Sequence, residues 1–156
     1  VSIDILVAAQ RHLVGSSSLL ALLGSSSDFG PYVFREFQFV DVEGTGEACL
    51  VVTSPGPWGA ANAHNTARFP TLGIEIYSDV PRDAYRESGY ATSRDLVEAI
   101  YQIADRLLHY PQGGEIAWST LRIVSSIRNA GDVQIEAIPQ KDGMSRGVCR
   151  YEVMLG

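Results

Sequence analysis

Residues 71–111 read TLGIEIYSDVPRDAYRESGYATSRDLVEAIYQIADRLLHYP, and this stretch decides the fold class. Leu72, Ile74 and Ile76 alternate with Gly73, Glu75 and Tyr77. Successive strand side chains point to opposite sides, so Thr71 to Ser78 predicts a strand with one buried and one partly solvated face. Pro81 and the charged run Arg82, Asp83, Arg86 and Glu87 end it in a solvated connection. Thr92 then offers a cap for free backbone N–H groups, and Asp95 stands near the positive end of a following helix. Leu96, Val97, Ile100, Ile103, Ala104, Leu107 and Leu108 recur at helical spacing, with Glu98, Gln102, Asp105 and Arg106 largely opposite. His109 falls in the last turn and Pro111 stops the element, which predicts one long amphipathic helix over Ser93 to His109.

On the N-terminal side, Ser2 suits the cap of a first helix with Ile3, Leu6, Val7, Leu13 and Val14 as its apolar face. Arg11 and His12 fit its C-terminal end, and Gly15 can terminate it. With Asp4 ahead of the apolar residues and no basic leader, the segment reads as a structural helix rather than a signal peptide. A short apolar piece, Leu19 to Leu23, follows Ser16 to Ser18 and closes at Gly24. The Gly-Ser-Ser-Ser motif at Gly15 and again at Gly24 reads as a cap and a turn, since no longer unit recurs. Pro31 to Val42 is rich in aromatic and β-branched residues and predicts a straight or bent strand. Glu43-Gly44-Thr45-Gly46 is a turn signal and Cys49 to Thr53 the return strand, which together predict a hairpin with a mobile or extended tip. Ser54 to Pro70 has no periodicity; connections of that length are commonly functional. Beyond the long helix, Leu121 to Ser126, Val133 to Ile138 and Val148 to Leu155 are strand candidates.

The resulting order is α, β, β, β, α, β, β, β. It predicts an α+β fold: an antiparallel or mixed β-sheet with the N-terminal helix and the long amphipathic helix packed on one face. The length of 156 residues fits one domain over 1–156 with a real core. A formal net charge of −6 disfavours a nonspecific nucleic-acid binder, and no apolar run has membrane-spanning length. Cys49 and Cys149 sit in strand-like sequence and read as buried free thiols rather than a disulfide or a zinc site.

A search for chemistry gives no catalytic, cofactor-binding or metal-binding residue. His12, His64 and His109 are far apart in the chain, without acidic or cysteine partners at metal-ligand spacing. There is no Gly-x-Ser-x-Gly elbow, although a triad assembled from distant residues stays open. Gly44-Thr45-Gly46 lacks the Lys-Ser or Lys-Thr and the helix that a phosphate loop needs. Asp79, Asp83 and Glu87 do not have EF-hand spacing, and Arg82 and Arg86 would neutralise a cation site there. Trp58 in the irregular segment suits a protein contact with Arg68 and Phe69, because aromatic and Arg side chains are enriched at interfaces; the alternative is that Trp58 folds back onto its own core. Gly44, Thr45, Gly46 and Glu47 at the expected hairpin tip are a second contact candidate, and Trp118, just before a strand, is assigned to the core.

Several of these features together resemble a known family. They are the capped first helix with Leu19-Leu20-Ala21-Leu22-Leu23, the strand start Pro31-Tyr32-Val33, the strand Thr71 to Ser78, the helix Ser93 to His109, and the closing Arg150-Tyr151-Glu152-Val153. The arrangement is similar to the tail terminator proteins of long non-contractile-tailed bacteriophages, over nearly the whole chain. The resemblance implies a virion protein without catalytic residues. Six copies would form a ring on the head-proximal end of the tail, contact the tail tube protein and the head-completion or neck proteins, and let genome DNA pass without specific binding. Another neck, tail-completion or tube protein is the first alternative, and a small ligand-binding or enzymatic α+β domain the second.

Overall fold

A computed structural model of the chain describes residues 5–36, 41–54, 70–111, 114–128, 133–139, 141 and 143–156. Its centre is the predicted strand Thr71–Ser78, β5, hydrogen-bonded on both edges. One neighbour is β4 (Ala48–Thr53), the other β9 (Ser145–Leu155), both antiparallel to it. β3 (Val33–Arg35) adds outside β4, and β7 (Leu121–Arg128) and β6 (Ile116–Trp118) add outside β9. β8 (Gln134–Ala137) completes seven strands by pairing with β9 on the edge that β7 also uses. β7 takes Tyr151 to Leu155 and β8 takes Ser145 to Val148, so two short strands line up against one long one.

The helices lie on one side of this sheet. The long helix α4 (Ser93–Leu108) starts where the sequence places it, with a full capping box: the Thr92 hydroxyl accepts from Asp95 N–H and the Asp95 carboxylate accepts from Thr92 N–H. His109 leaves helical geometry at ψ 116, and Tyr110 then exchanges two backbone hydrogen bonds with Ser126 of β7. Leu96, Val97, Ile100, Tyr101, Ala104 and Leu108 are buried against the sheet. The first helix, α1 (Ile5–Val14), packs beside α4 through Leu6, Ala8, Ala9 and Leu13. A single turn, α2 (Ser17–Leu20), follows with the Ser16 hydroxyl capping Leu19 N–H. The observed architecture is therefore α+β, with a mixed sheet and its main helices on one face.

Three local expectations are corrected, and the connection after β5 gains an element. The two strands before β5 do not form a hairpin: β3 runs parallel to β4, with Val33, Phe34 and Arg35 opposite Leu50, Val51 and Val52. A tight turn joins only antiparallel neighbours, so the chain between β3 and β4 must travel back along the sheet before β4 begins. Pro31 belongs to a separate two-residue pair in which β1 (Ser25–Ser26) faces β2 (Gly30–Pro31). The solvated connection after β5 holds a short helix, α3 (Asp83–Glu87). On α1, Val14 is exposed and Val7 only half-buried, because small Ala8 and Ala9 make the close contact instead; Ser2 and Ile3 lie outside the described residues.

Strand alternation assigns the two sheet faces. Ser145, Gly147, Cys149, Tyr151 and Val153 of β9 are buried beneath the helices, and Arg146, Val148, Arg150, Glu152 and Met154 point the other way. The main core gathers Leu50 and Val52, Leu72, Ile74 and Ile76, Trp118, and the buried residues of α1 and α4. A second, smaller cluster covers one corner of the opposite face with Tyr32, Phe34, Val42, Cys49, Val51 and Met144.

Candidate assembly surfaces

The turn at residues 43–46 was expected as a free tip, and the structure shows it clamped. Gly44 and Gly46 take left-handed φ angles of 79 and 71, which glycine adopts without Cβ strain. Gly46 N–H donates to the Asp79 carboxylate at 2.8 Å, and Asp79 N–H donates back to the Glu47 carbonyl at 3.0 Å. Arg82 N–H donates to the Gly46 carbonyl, the Arg82 guanidinium pairs with Glu47 at 3.1 Å, and its other end donates to the Tyr85 hydroxyl. A Cβ at Gly46 would strike the Arg82 side chain. Gly44, Thr45, Gly46 and Glu47 thus stay together, but Gly46 and Glu47 are half-buried against the β5–α3 connection, and only Gly44 and Thr45 are exposed. Asp79 is buried and spends its carboxylate here, which accounts for it without a cation. Trp58, Arg68 and Phe69 lie outside the described residues.

The small corner cluster borders an apolar chamber of about 250 Å³ lined by Val42, Cys49, Tyr77, Ile138 and Met144. At its mouth Lys141 bridges Asp41 at 3.2 Å and Glu43 at 3.6 Å. The Glu43 N–H and then Lys141 hold the Asp41 carboxyl below the usual carboxylate range, and Asp41 in turn raises the Lys141 ammonium. Burial pushes the Cys49 thiol up to about 12. Beside the cluster, Phe29 stands at the β1–β2 turn with 63% of its surface exposed, its ring edge-to-face with Phe34 at 6.3 Å. An open groove of about 800 Å³ lies at the start of α4, yet its polar groups hold one another. Ser93 bonds Gly143 O and Ser145 Oγ, and Arg94 donates to Ile135 O at 3.2 Å.

The rest of the outer sheet face mixes charged and apolar side chains. Arg146 is engaged by Glu75 and Glu136 and lies over the Tyr77 ring. Arg150 and Glu152 are exposed, and among the described residues neither has an ion-pair partner. Ile127 and Met154 beside them are 47% and 39% exposed. Sequence reasoning missed this surface, although the period-two order Val148, Arg150, Glu152, Met154 was the signal for it. Phe29, in the turn sequence Asp28-Phe29-Gly30-Pro31, was missed as well.

The remaining chemistry-bearing residues serve packing. His12 Nε2 donates to the Leu107 carbonyl at 2.9 Å and its ring stacks on Trp118 at 5.8 Å; burial lowers its pKa. His109 Nδ1 accepts from Arg128 N–H, and the Arg128 guanidinium meets Asp105 at 2.6 Å. Asp105 also accepts from the buried Tyr151 hydroxyl at 2.7 Å. Cys49 and Cys149 are free and buried, as expected, and Trp118 is in the core. Among the described residues no three His, Cys, Asp or Glu side chains converge as a metal site would require.

No protein-family model matches the chain. No curated protein matches it either. A chain in a solved structure of the virion of a native gene transfer agent particle is similar at 15% identity, with a TM-score of 0.57. The match covers 97% of this chain and 93% of that one. At such identity the likeness establishes a shared fold over nearly the whole of both chains.

Proposed function

We propose that this chain is a structural virion protein and that it acts as a tail terminator. In this reading six copies form a ring on the head-proximal end of the tail tube, stop tube growth and join the tail to the head or neck proteins. The observation that carries the proposal is the shared fold, over nearly both full lengths, with a chain that resides in a virion. The resemblance of the element pattern to tail terminators points the same way. A head-to-tail ring needs two different patches per subunit. The exposed Phe29 turn and the clamped Gly44–Thr45 turn are solvent-facing candidates for them. The ring has no enzymatic role in this proposal, and its acidic character (net −6) would discourage DNA from sticking as it passes.

Electron microscopy of particles made with and without the protein tests this. Loss of the protein should yield tubes of uncontrolled length without heads, and a labelled copy should mark a single ring at the tail–head junction. Label distributed along the tube would instead assign a tube subunit, which is the reading to prefer if stacked rings form from the pure protein.

A further inference from the structure

We infer that the outer face of β9 is a two-fold contact between copies of this chain, separate from any ring contact. The outward row along β9 reads Val148, Arg150, Glu152, Met154: apolar, positive, negative, apolar. Alternate residues on a strand are about 6.5–7 Å apart, so the four side chains form one straight row. The row is centred on Tyr151, whose own side chain points into the helix-covered core. A second sheet laid face to face, with its β9 antiparallel and the two-fold axis above residue 151, brings Arg150 over the partner copy's Glu152 position and Met154 over its Val148 position. Each contact then occurs twice by symmetry, as an isologous interface requires.

Four observations on this face favour a second copy over another occupant. The charges complement themselves under the reversal: one cation and one anion, each without an ion-pair partner among the described residues, exchange partners, so the surface fits its own image. The charges next along the row do not compete, because Arg146 is already held between Glu75 and Glu136. Ile127 of β7 and Thr71 of β5 flank Glu152, and Gly73 of β5 pairs with Arg150, none of them adding a further charge. The 47% and 39% exposure of Ile127 and Met154 is the apolar surface that such a contact would cover. Because an isologous patch pairs two copies and then stops, this contact cannot build a ring. It would join two subunits, or two rings, back to back.

Sedimentation of the pure protein over a rising concentration series at low ionic strength tests the inference. The wild type should dimerise, and Arg150→Glu or Glu152→Arg alone should weaken the dimer by about tenfold or more, since each sets like charges face to face. Both side chains are exposed, so the fold should persist, which circular dichroism verifies. Mixing the two single variants should recover association, as should the double variant, because opposite charges face each other again in both cases. A wild type that stays monomeric throughout, or a dimer indifferent to the reversals, overturns the contact. Neither result bears on a six-membered ring, which the micrographs read separately.

Discussion

His12 shows how much one side chain can be asked to do in a packed site. It closes the last turn of α4 through Leu107 O and covers the indole of Trp118. Burial lowers its pKa below the ordinary 6.5, so between those values the unfolded chain binds a proton that the folded chain refuses. Stability from this group is complete above about 6.5 and falls as pH drops through the window beneath it. Urea midpoints from neutral pH to about pH 5 should therefore decline more steeply in the wild type than in His12→Gln, whose amide can still reach Leu107 O without titrating. Equal slopes in the two proteins would mean that His12 is protonated as easily folded as unfolded. From sequence, His12 was placed at the C-terminal end of the first helix. That placement was right, and its covering indole, more than a hundred residues away in the chain, had no local signature.

At the scale of elements, α4 and β9 meet at Gly147. A Cβ there would lie 2.6 Å from Val97 Cγ1 and 3.2 Å from Val133 Cγ2, so the helix sits down on the sheet only because this position has no side chain. Gly147→Ala should cost about 1–3 kcal/mol by overpacking. Val97→Ala in the same chain should return part of that loss, giving a non-additive pair in chemical denaturation; simple additivity would place the strain elsewhere. The strand β5 and the helix α4 were legible because each carries its period and its own start or stop signal. Parallel pairing of β3 with β4 was not legible, because alternation reports which face a side chain takes and says nothing of strand direction. The turn signal at Gly44 to Gly46 was correctly read as a turn, yet it serves the β5–α3 connection through Asp79 and Arg82 rather than joining two neighbours. β6 escaped because Ile116–Trp118 is three residues long, too short for a period to declare itself.

For the whole molecule, the two cysteines report on opposite sides of the sheet. Cys149 lies in the main core under the helices, and Cys49 lies in the small corner cluster on the other face. Burial raises both thiols, so neither should react appreciably with a thiol reagent in the native protein. Because the corner cluster is the smaller body of apolar contacts, Cys49 should become reactive at a lower urea concentration than Cys149, whose exposure should follow global unfolding. Mass spectrometry of the labelled protein distinguishes the two, and simultaneous labelling would mean that both faces open as one unit.

The position of β9 also governs when the protein can exist at all. It follows every other strand in the chain, yet it is the member that links β5 on one edge with β7 and β8 on the other. Until residues 145–155 have emerged from the ribosome, the two halves of the sheet have no common partner, and Gly147 is not there to receive α4. A chain that has not yet exposed residues 145–155 therefore lacks the strand that unites β3, β4 and β5 with β6, β7 and β8, so its sheet cannot close.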